Sequence, residues 1–271
     1  MTGPVLVLGA TGITGRRVVH ALREAGTEVR AASRSSGTRF DWSAPETWEP
    51  ALAGIRGLYL MAPDGVPVDP RLVTLAVDSG VLRVVLLSSG AVEEMGDARL
   101  LDAERVVREC GAEWTVLRPS WFDQDFDEGV FRDAVLAGEL ALPLGDLRQA
   151  FVDAADIAAV AAVALTADGH AGRTYEVQGP DALTFAEAAA AIAAASGRPV
   201  RFAGDPDEYR AAHLALGRDP TEVEGELAAF AALRARGHDE PGDVVRRVTG
   251  RAPTGFEEYA RAAAARGAWR T

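Results

Sequence analysis

Pro4-Val5-Leu6-Val7-Leu8-Gly9-Ala10-Thr11-Gly12-Ile13-Thr14-Gly15-Arg16-Arg17-Val18-Val19 is the stretch from which the fold of this chain can be read. Four consecutive apolar residues, Val5 to Leu8, bounded by glycine, read as a short strand buried on both faces, as in a parallel sheet. Three glycines at intervals of three follow. Gly9 permits the sharp turn out of the strand, Gly12 lets backbone approach a phosphate with no side chain between, and Gly15 lets the next helix pack closely on the sheet. The helix expected to follow, reaching about residue 25, points its free N-H groups and positive dipole end at the turn, which suits a pyrophosphate. Gly-x-x-Gly-x-x-Gly is not the commoner Gly-x-Gly-x-x-Gly, so the reading rests on context: strand before, helix after. Thr11, Ile13 and Thr14 belong to the same turn and are expected to border the phosphates.

Working outward, residues 27–33 alternate polar and apolar and are expected to form the second parallel strand. An acidic residue at the end of that strand binds the ribose 2'-hydroxyl of NAD, whereas a 2'-phosphate calls for a nearby arginine and no carboxylate. The chain reads Ser33-Arg34-Ser35-Ser36 there. NADP(H) is therefore the preferred cofactor, with NAD(H) as the alternative. Arg34 would sit on the phosphate with Ser33 or Ser35 bonding it, unless Arg34 is simply a loop arginine facing solvent. Residues 40–42 read as a short edge strand whose Asp41 and Trp42 can border the adenine, and Ser43-Ala-Pro-Glu46 reads as a capping box opening a helix to about residue 52. Strands are expected at 57–60, leading into Met61-Ala62-Pro63 beside the cofactor, and at 82–87, ending in Ser88-Ser89-Gly90. Hydroxyls at the carboxyl end of a strand lie where an open α/β sheet binds ligands.

Residues 97–110 have helical periodicity with a buried stripe of Leu100, Leu101, Ala103, Val106, Val107 and Cys110. Strand 114–117 leads into Pro119-Ser120-Trp121-Phe122. Helices are expected near 130–137 and 153–165, and a strand at 173–178. Thr184-Phe-Ala-Glu187 is a second capping box, whose alanine-rich helix stops at Gly197. Residues 205–238 are polar-helical with scattered apolar positions, and Thr254 is expected to cap the terminal helix. The fold class is thus α/β: a doubly wound parallel sheet with a small, mainly helical C-terminal lobe. Residues 1–180 are assigned to the dinucleotide-binding core, with part of 120–150 contributing to the substrate cleft, and 181–271 to a substrate lobe or lid.

Composition narrows the function. At 271 residues, 48% hydrophobic and 25% charged, the chain is an ordinary globular one. Its net charge of -12 argues against nucleic acid or an anionic membrane as partner. No apolar run approaches the roughly 20 residues of a membrane span, and no secretory signal is read at the N-terminus, so a cytoplasmic location is expected. The single cysteine, Cys110, has no intramolecular partner and reads as core; no Cys/His cluster has metal spacing, so no metal is expected. All 28 basic residues are arginine. Without lysine, no lysine serves in catalysis or cofactor binding.

Together GATGITGRRVV, LLSSGA, AERVVRECGAEWTVLRPSWFDQDF, FVDAADIAAVAA and VTGRAPTGFEEYARAAA resemble the NmrA-like atypical short-chain dehydrogenase/reductases over nearly the whole chain. The resemblance implies a Rossmann core binding NAD(P) and a C-terminal lobe closing a substrate cleft. Members include reductases of quinones, dyes and other aromatic compounds, aromatic natural-product ketoreductases, and regulators that bind the dinucleotide without turning it over.

The chain departs from tyrosine-dependent short-chain dehydrogenases in catalysis. Their Tyr-x-x-x-Lys is absent from DARLLDAERVVREC, and the position where some family members place a lysine or histidine holds Leu100. Losing a positioned general acid forfeits about 10²- to 10⁴-fold in rate. The expected acceptor is therefore small and aromatic or conjugated, a quinone or aromatic ketone, whose reduced oxyanion is weakly basic or which supplies its own donor. Trp121, Phe122 and Phe126, with Ser120, offer a substrate surface, the alternative for the aromatics being core packing. Ser88 and Pro119 are placed beside the cofactor. Ser89 is the candidate to polarise a carbonyl, against both serine hydroxyls bonding backbone. Of the four histidines only His213 is placed to reach the cleft. The expectation is an NADPH-dependent reductase, monomer or homodimer; the alternative is an NADP(H)-binding redox-sensing regulator without turnover.

Overall fold

Alternating side chains on Val5-Leu6-Val7-Leu8 reach two separate cores. In the computed structural model, which describes residues 3–270, β1 (Val5–Leu8) is wholly buried. Val5 and Val7 point to one face of the sheet, Leu6 and Leu8 to the other, as the period of two requires. The glycine turn leads into α1 (Ile13–Glu24), and β2 (Val29–Ser33) and β3 (Thr38–Arg39) add on one side of β1. Through α2 (Trp48–Leu52) the chain crosses to the other side of β1. There it lays down β4 (Gly57–Leu60), α3 (Pro70–Asp78), β5 (Arg83–Leu87), α4 (Ala98–Arg108) and β6 (Glu113–Pro119). After α5 (Arg132–Ala137), β7 (Glu139–Ala141), β8 (Arg148–Gln149) and α6 (Ala154–Thr166), β9 (Arg173–Val177) completes the sheet. The order is β3-β2-β1-β4-β5-β6-β9, seven strands, parallel at every pairing.

The remaining elements are β10 (Leu183–Thr184), α7 (Phe185–Ser196), β11 (Arg201–Ala203), α8 (Pro206–Ala215), α9 (Pro220–Arg236), α10 (Val244–Thr249) and α11 (Phe256–Ala265). Helices α1, α6 and α10 cover one face of the sheet and α2, α3 and α4 the other, so the fold is doubly wound, with a Rossmann core. A third apolar cluster forms the lobe. It joins Phe126, Phe131, Leu140 and Phe151 to Phe185, Phe230, Phe256 and Trp269. Two small ladders, β7 with β11 and β8 with β10, stitch these segments together. The chain thus enters the lobe, returns to the core for α6 and β9, leaves again, and comes back once more where Val244 and Val245 pack with α6. Among the described residues no helix is long and apolar enough to cross a membrane.

Three local expectations are corrected. The edge strand is at Thr38–Arg39 rather than 40–42, because Phe40 is buried between Trp42 and Trp48. Ser43 does not cap a helix: its hydroxyl donates to Asp41 at 2.7 Å, and the helix is entered through a 3-10 turn starting at Pro45. Nor does Thr254 cap the terminal helix. Its N-H donates to Asp156 at 2.6 Å, and Gly255 is the residue preceding α11. The Thr184-Glu187 box forms as read, with the Thr184 hydroxyl accepting from Glu187 N-H at 3.1 Å and the Glu187 carboxylate from Thr184 N-H at 2.8 Å.

Candidate functional site

Strand order reverses between β1 and β4, and ligands of open α/β sheets bind at such a switch point, outside the carboxyl ends of the strands. A cavity of about 640 Å³ opens there. Ile13 and Thr14 enter it from the glycine turn, Met61, Ala62 and Pro63 from the β4 exit, Ser88 and Ser89 from the β5 exit, and Pro119, Ser120, Trp121 and Phe122 from the β6 exit. The lobe closes the far side with Leu233, Arg236 and Asp239.

The glycine turn is built without room for side chains. Gly9 has φ +64°, and its carbonyl accepts from Gly12 N-H at 2.8 Å. A Cβ on Gly15 would lie 2.1 Å from the Gly9 carbonyl oxygen, and one on Gly9 would lie 2.2 Å from Met61 Cε. Gly12 precedes α1 with no side-chain cap, and the first turn carries no acid. Its N-H groups therefore lack an internal partner and face the turn, a cradle that fits a dinucleotide pyrophosphate. Thr11 is exposed at the rim and Thr14 is buried. Arg16 and Arg17 both pair with Glu128, Arg17 at 2.6 Å, tying α1 to the lobe side.

Beyond the cavity wall, at the end of β2, the Ser33 hydroxyl accepts from the N-H groups of Ser35 and Ser36 at 3.2 and 3.0 Å and closes a turn. Arg34 is exposed and, among the described residues, makes no ion pair. Two hydrogen bonds from Ser43 and the nearby charges of Arg34 and Arg39 hold the Asp41 carboxyl below the usual carboxylate range. Trp42 is half-buried, edge-on to Phe40 at 5.4 Å.

The two serines after β5 have different tasks. Ser88 donates to Glu104 at 2.6 Å, and Glu104, wholly buried on α4, also receives Arg118 at 2.8 Å and Arg108 at 2.6 Å. Burial alone would raise the Glu104 pKa, but the hydrogen bonds from Arg118 and Ser88 and the arginine charges outweigh it, so the carboxyl titrates below its usual range. Ser89 is half-buried and bonds only the carbonyl of Gly90, at 3.1 Å. Its hydroxyl is the one free to turn into the cavity. Of the stripe expected on α4, Ala103 and Val107 are buried and Val106 and Cys110 pack against the same core, while Leu100 lines the cavity and Glu104 is the unexpected buried residue. None of the four histidines lines it; His213 stacks on Tyr209 at 4.0 Å.

Trp121 and Phe122 stand on the wall. Trp121 donates its indole N-H to Gln149 at 3.1 Å, and the Ser120 hydroxyl donates to Asp239 at 3.2 Å. Phe126 does not line the cavity. It is fully buried in the lobe, with Phe131, Phe151 and Phe256 rings 5.2–5.6 Å from its own, because the 3-10 turn at Asp123–Phe126 rotates it away.

That same turn carries two carboxyls that sequence reasoning passed over. Asp125 lines the cavity, one oxygen accepting from Phe122 N-H at 3.1 Å. Burial, with Asp64 adding to it, pushes its pKa up to about 7 against the opposing Phe122 hydrogen bond. Asp123 is 0% exposed and neither oxygen has a partner. Burial, then the neighbouring Asp153, Asp156, Asp125 and Asp127, push its pKa well above the carboxylate range. The unfolded chain ionises this group above about pH 4 while the folded chain keeps its proton, so wild-type stability falls as pH rises. Asp123→Asn removes that loss. The stability gain over wild type should be absent at about pH 4 and grow by about 1.4 kcal/mol per pH unit until the folded pKa is reached. Thermal melts of both proteins across that range check it; a pH-independent difference would show Asp123 to be charged in the fold.

No family model matches the chain. It is 34% identical to the uncharacterized oxidoreductase YesF of Bacillus subtilis, covering 97% of this chain and 96% of that one. It is 33% identical to an NAD(P)H azoreductase of Xenophilus azovorans, over 96% of this chain and 98% of that protein. An NADPH-dependent quinone oxidoreductase of Escherichia coli, solved with NADPH, superimposes with a TM-score of 0.75 at 20% identity, over 94% of this chain and 98% of that one.

Proposed function

Since the chain belongs to the NmrA-like atypical short-chain dehydrogenase/reductases, NAD(P)-binding oxidoreductases, we propose that it is an NADPH-dependent reductase of quinones or aromatic and conjugated ketones. The observation that carries this reading is the continuity of the glycine cradle with the cavity. One side, at Ile13 and Thr14, opens on the glycine turn; the other is aromatic and apolar, with Trp121, Phe122, Leu100 and Met95. Named relatives that reduce azo compounds and quinones support the same chemistry.

When bound, the reduced dinucleotide supplies a hydride. The chain's own residues do the rest. The first-turn N-H groups of α1 and the bare backbone at Gly9, Gly12 and Gly15 hold the pyrophosphate. Arg34, with Ser35 beside it, takes the 2'-phosphate, and Trp42 borders the base. Met61 to Pro63, Ser88 and Pro119 flank the nicotinamide end. Trp121 and Phe122 stack on the acceptor and exclude water, and Ser89 donates a hydrogen bond to its carbonyl oxygen. Three ion pairs, Glu128 with Arg16 and with Arg17, and Arg236 with Glu94 at 3.3 Å, hold the lobe over the cleft. NADPH oxidation with a panel of quinones and aromatic ketones tests the reading; no oxidation with any of them would overturn it.

Cofactor preference has its own test. Arg34→Ala should weaken NADPH by about 10- to 100-fold, the about 1.5–3 kcal/mol of a charge-assisted bond, and leave NADH nearly unchanged. Equal losses by calorimetry would remove Arg34 from the phosphate.

A further inference from the structure

The cleft wall carries five carboxyls, and four of them are accounted for. Asp97 caps α4 at Leu100 N-H and pairs with Arg99; Asp239 pairs with Arg236 at 2.6 Å; Glu176 lies 3.6 Å from Arg118; Asp64 is exposed at the rim. Asp125 differs. It is half-buried, makes no ion pair among the described residues, and its Oδ1 accepts no hydrogen bond, while Oδ2 is fixed by Phe122 N-H. The backbone is folded tightly around it: a Cβ on Gly129 would lie 2.7 Å from Asp125 Cα and 2.8 Å from Oδ1. The carboxyl is thus held by its own turn, beside Phe122, in the cavity that Ser89 also lines.

Building on the reductase reading above, we propose that Asp125 is the proton donor of the cleft, passing a proton from its free oxygen to the acceptor oxygen as hydride adds. The balance is simple. Hydride and its electron pair pass from the reduced nicotinamide to the acceptor, the carbonyl π pair moves onto oxygen, and that oxygen takes the proton of the Asp125 carboxyl. The carboxylate left behind regains a proton from solvent at the cleft mouth, beside the exposed Val130.

An acid with a pKa of about 7 is well matched to this task, and burial first, then the charge of Asp64, keep it there. Asp64 faces it from the β4 exit, and Asp123 and Asp127 lie on its own turn. The cations of the facing elements are engaged elsewhere: Arg16 and Arg17 on α1 with Glu128, and Arg99 on α4 with Asp97. Delivery needs the protonated form, so kcat/KM is highest in acid and falls as pH rises through about 7.

Asp125→Asn preserves size and an oxygen for Phe122 N-H but has no acidic proton. Two readouts test the proposal. In the cofactor-free protein, carbon-13 NMR of labelled aspartate should show a carboxyl titrating near pH 7 that is missing from Asp125→Asn. With the acceptor that wild type reduces fastest, the variant should lose about 10²- to 10⁴-fold in kcat/KM at low pH, together with the falling alkaline limb, while NADPH affinity by calorimetry stays within about twofold. A carboxyl midpoint near 4, or a variant that keeps wild-type rate and pH profile, overturns the assignment and leaves the reductase reading standing. Wild type that oxidises NADPH with no acceptor overturns both.

Discussion

Gly15→Ala is expected to abolish dinucleotide binding. The added Cβ would sit 2.1 Å from the Gly9 carbonyl oxygen, 2.7 Å from the Gly9 carbonyl carbon and 3.1 Å from Ala10 Cα. All three atoms are backbone, so no side chain can swing aside; α1 must lift from the turn or the turn must open. Overpacking of this kind costs about 1–3 kcal/mol in stability, and the displaced N-H groups no longer converge on the phosphates. The Kd for NADPH should rise by more than about 100-fold, a loss above about 2.7 kcal/mol. Gly12→Ala separates the two effects. A Cβ there meets only the Gly9 carbonyl oxygen at 3.3 Å and Met61 Cε at 3.8 Å, and φ is an ordinary -81°. That variant should melt close to wild type and still bind NADPH weakly, because its methyl group stands where the phosphate approaches. Calorimetry and thermal melts check both; tight binding by either variant would mean that the turn is not the phosphate site.

The second large effect is on the fold. Glu104→Ala takes from Arg118, its side chain 13% exposed, its one fully buried carboxylate partner, leaving the more exposed Glu93 at 2.7 Å, and leaves Ser88 without its acceptor. Removing one partner of a buried ion pair costs about 3–5 kcal/mol, and with Glu93 still on Arg118 a loss at the lower end, about 3 kcal/mol, should appear in denaturant melts. Glu104→Gln keeps an oxygen for Ser88 and should lose less. The pH dependence has a definite sign. The folded pKa of Glu104 lies below its unfolded value of about 4.3, so its contribution is present above that pH and disappears as pH falls through the folded pKa. The gap between wild type and variant should therefore narrow in acid. Variants that melt like wild type at neutral pH would show the network to be dispensable.

The core of this protein was legible because its signals are local. A four-residue apolar run, glycines at intervals of three and the Thr184-Glu187 box each declare their conformation within a few residues. The glycine turn and the strand exits at Met61, Ser88 and Pro119 follow from that order alone. What escaped depends on burial, which a sequence does not display. Ser43 and Thr254 carry good capping chemistry, yet Asp41 and Asp156 engage them first. Phe126 and Trp121 are five residues apart and equally aromatic, and only the 3-10 turn between them decides that one faces the cavity and the other the lobe core. Asp123 and Asp125, passed over in the sequence, sit on a turn that folds them inward, and desolvation raises their pKa values. Glu104 is buried because Arg118, Arg108 and Ser88 close around it. Each of these meanings is set by residues distant in sequence.

The most direct measurement is the fate of the nicotinamide hydrogen. NADPH carrying deuterium at C4 should be consumed with an aromatic ketone or quinone, and deuterium should appear on the carbinol carbon of a reduced ketone, in proportion to NADPH oxidised. NADPH that binds at the glycine turn but passes no deuterium to any acceptor would contradict the reductase reading and leave a protein that only holds the dinucleotide.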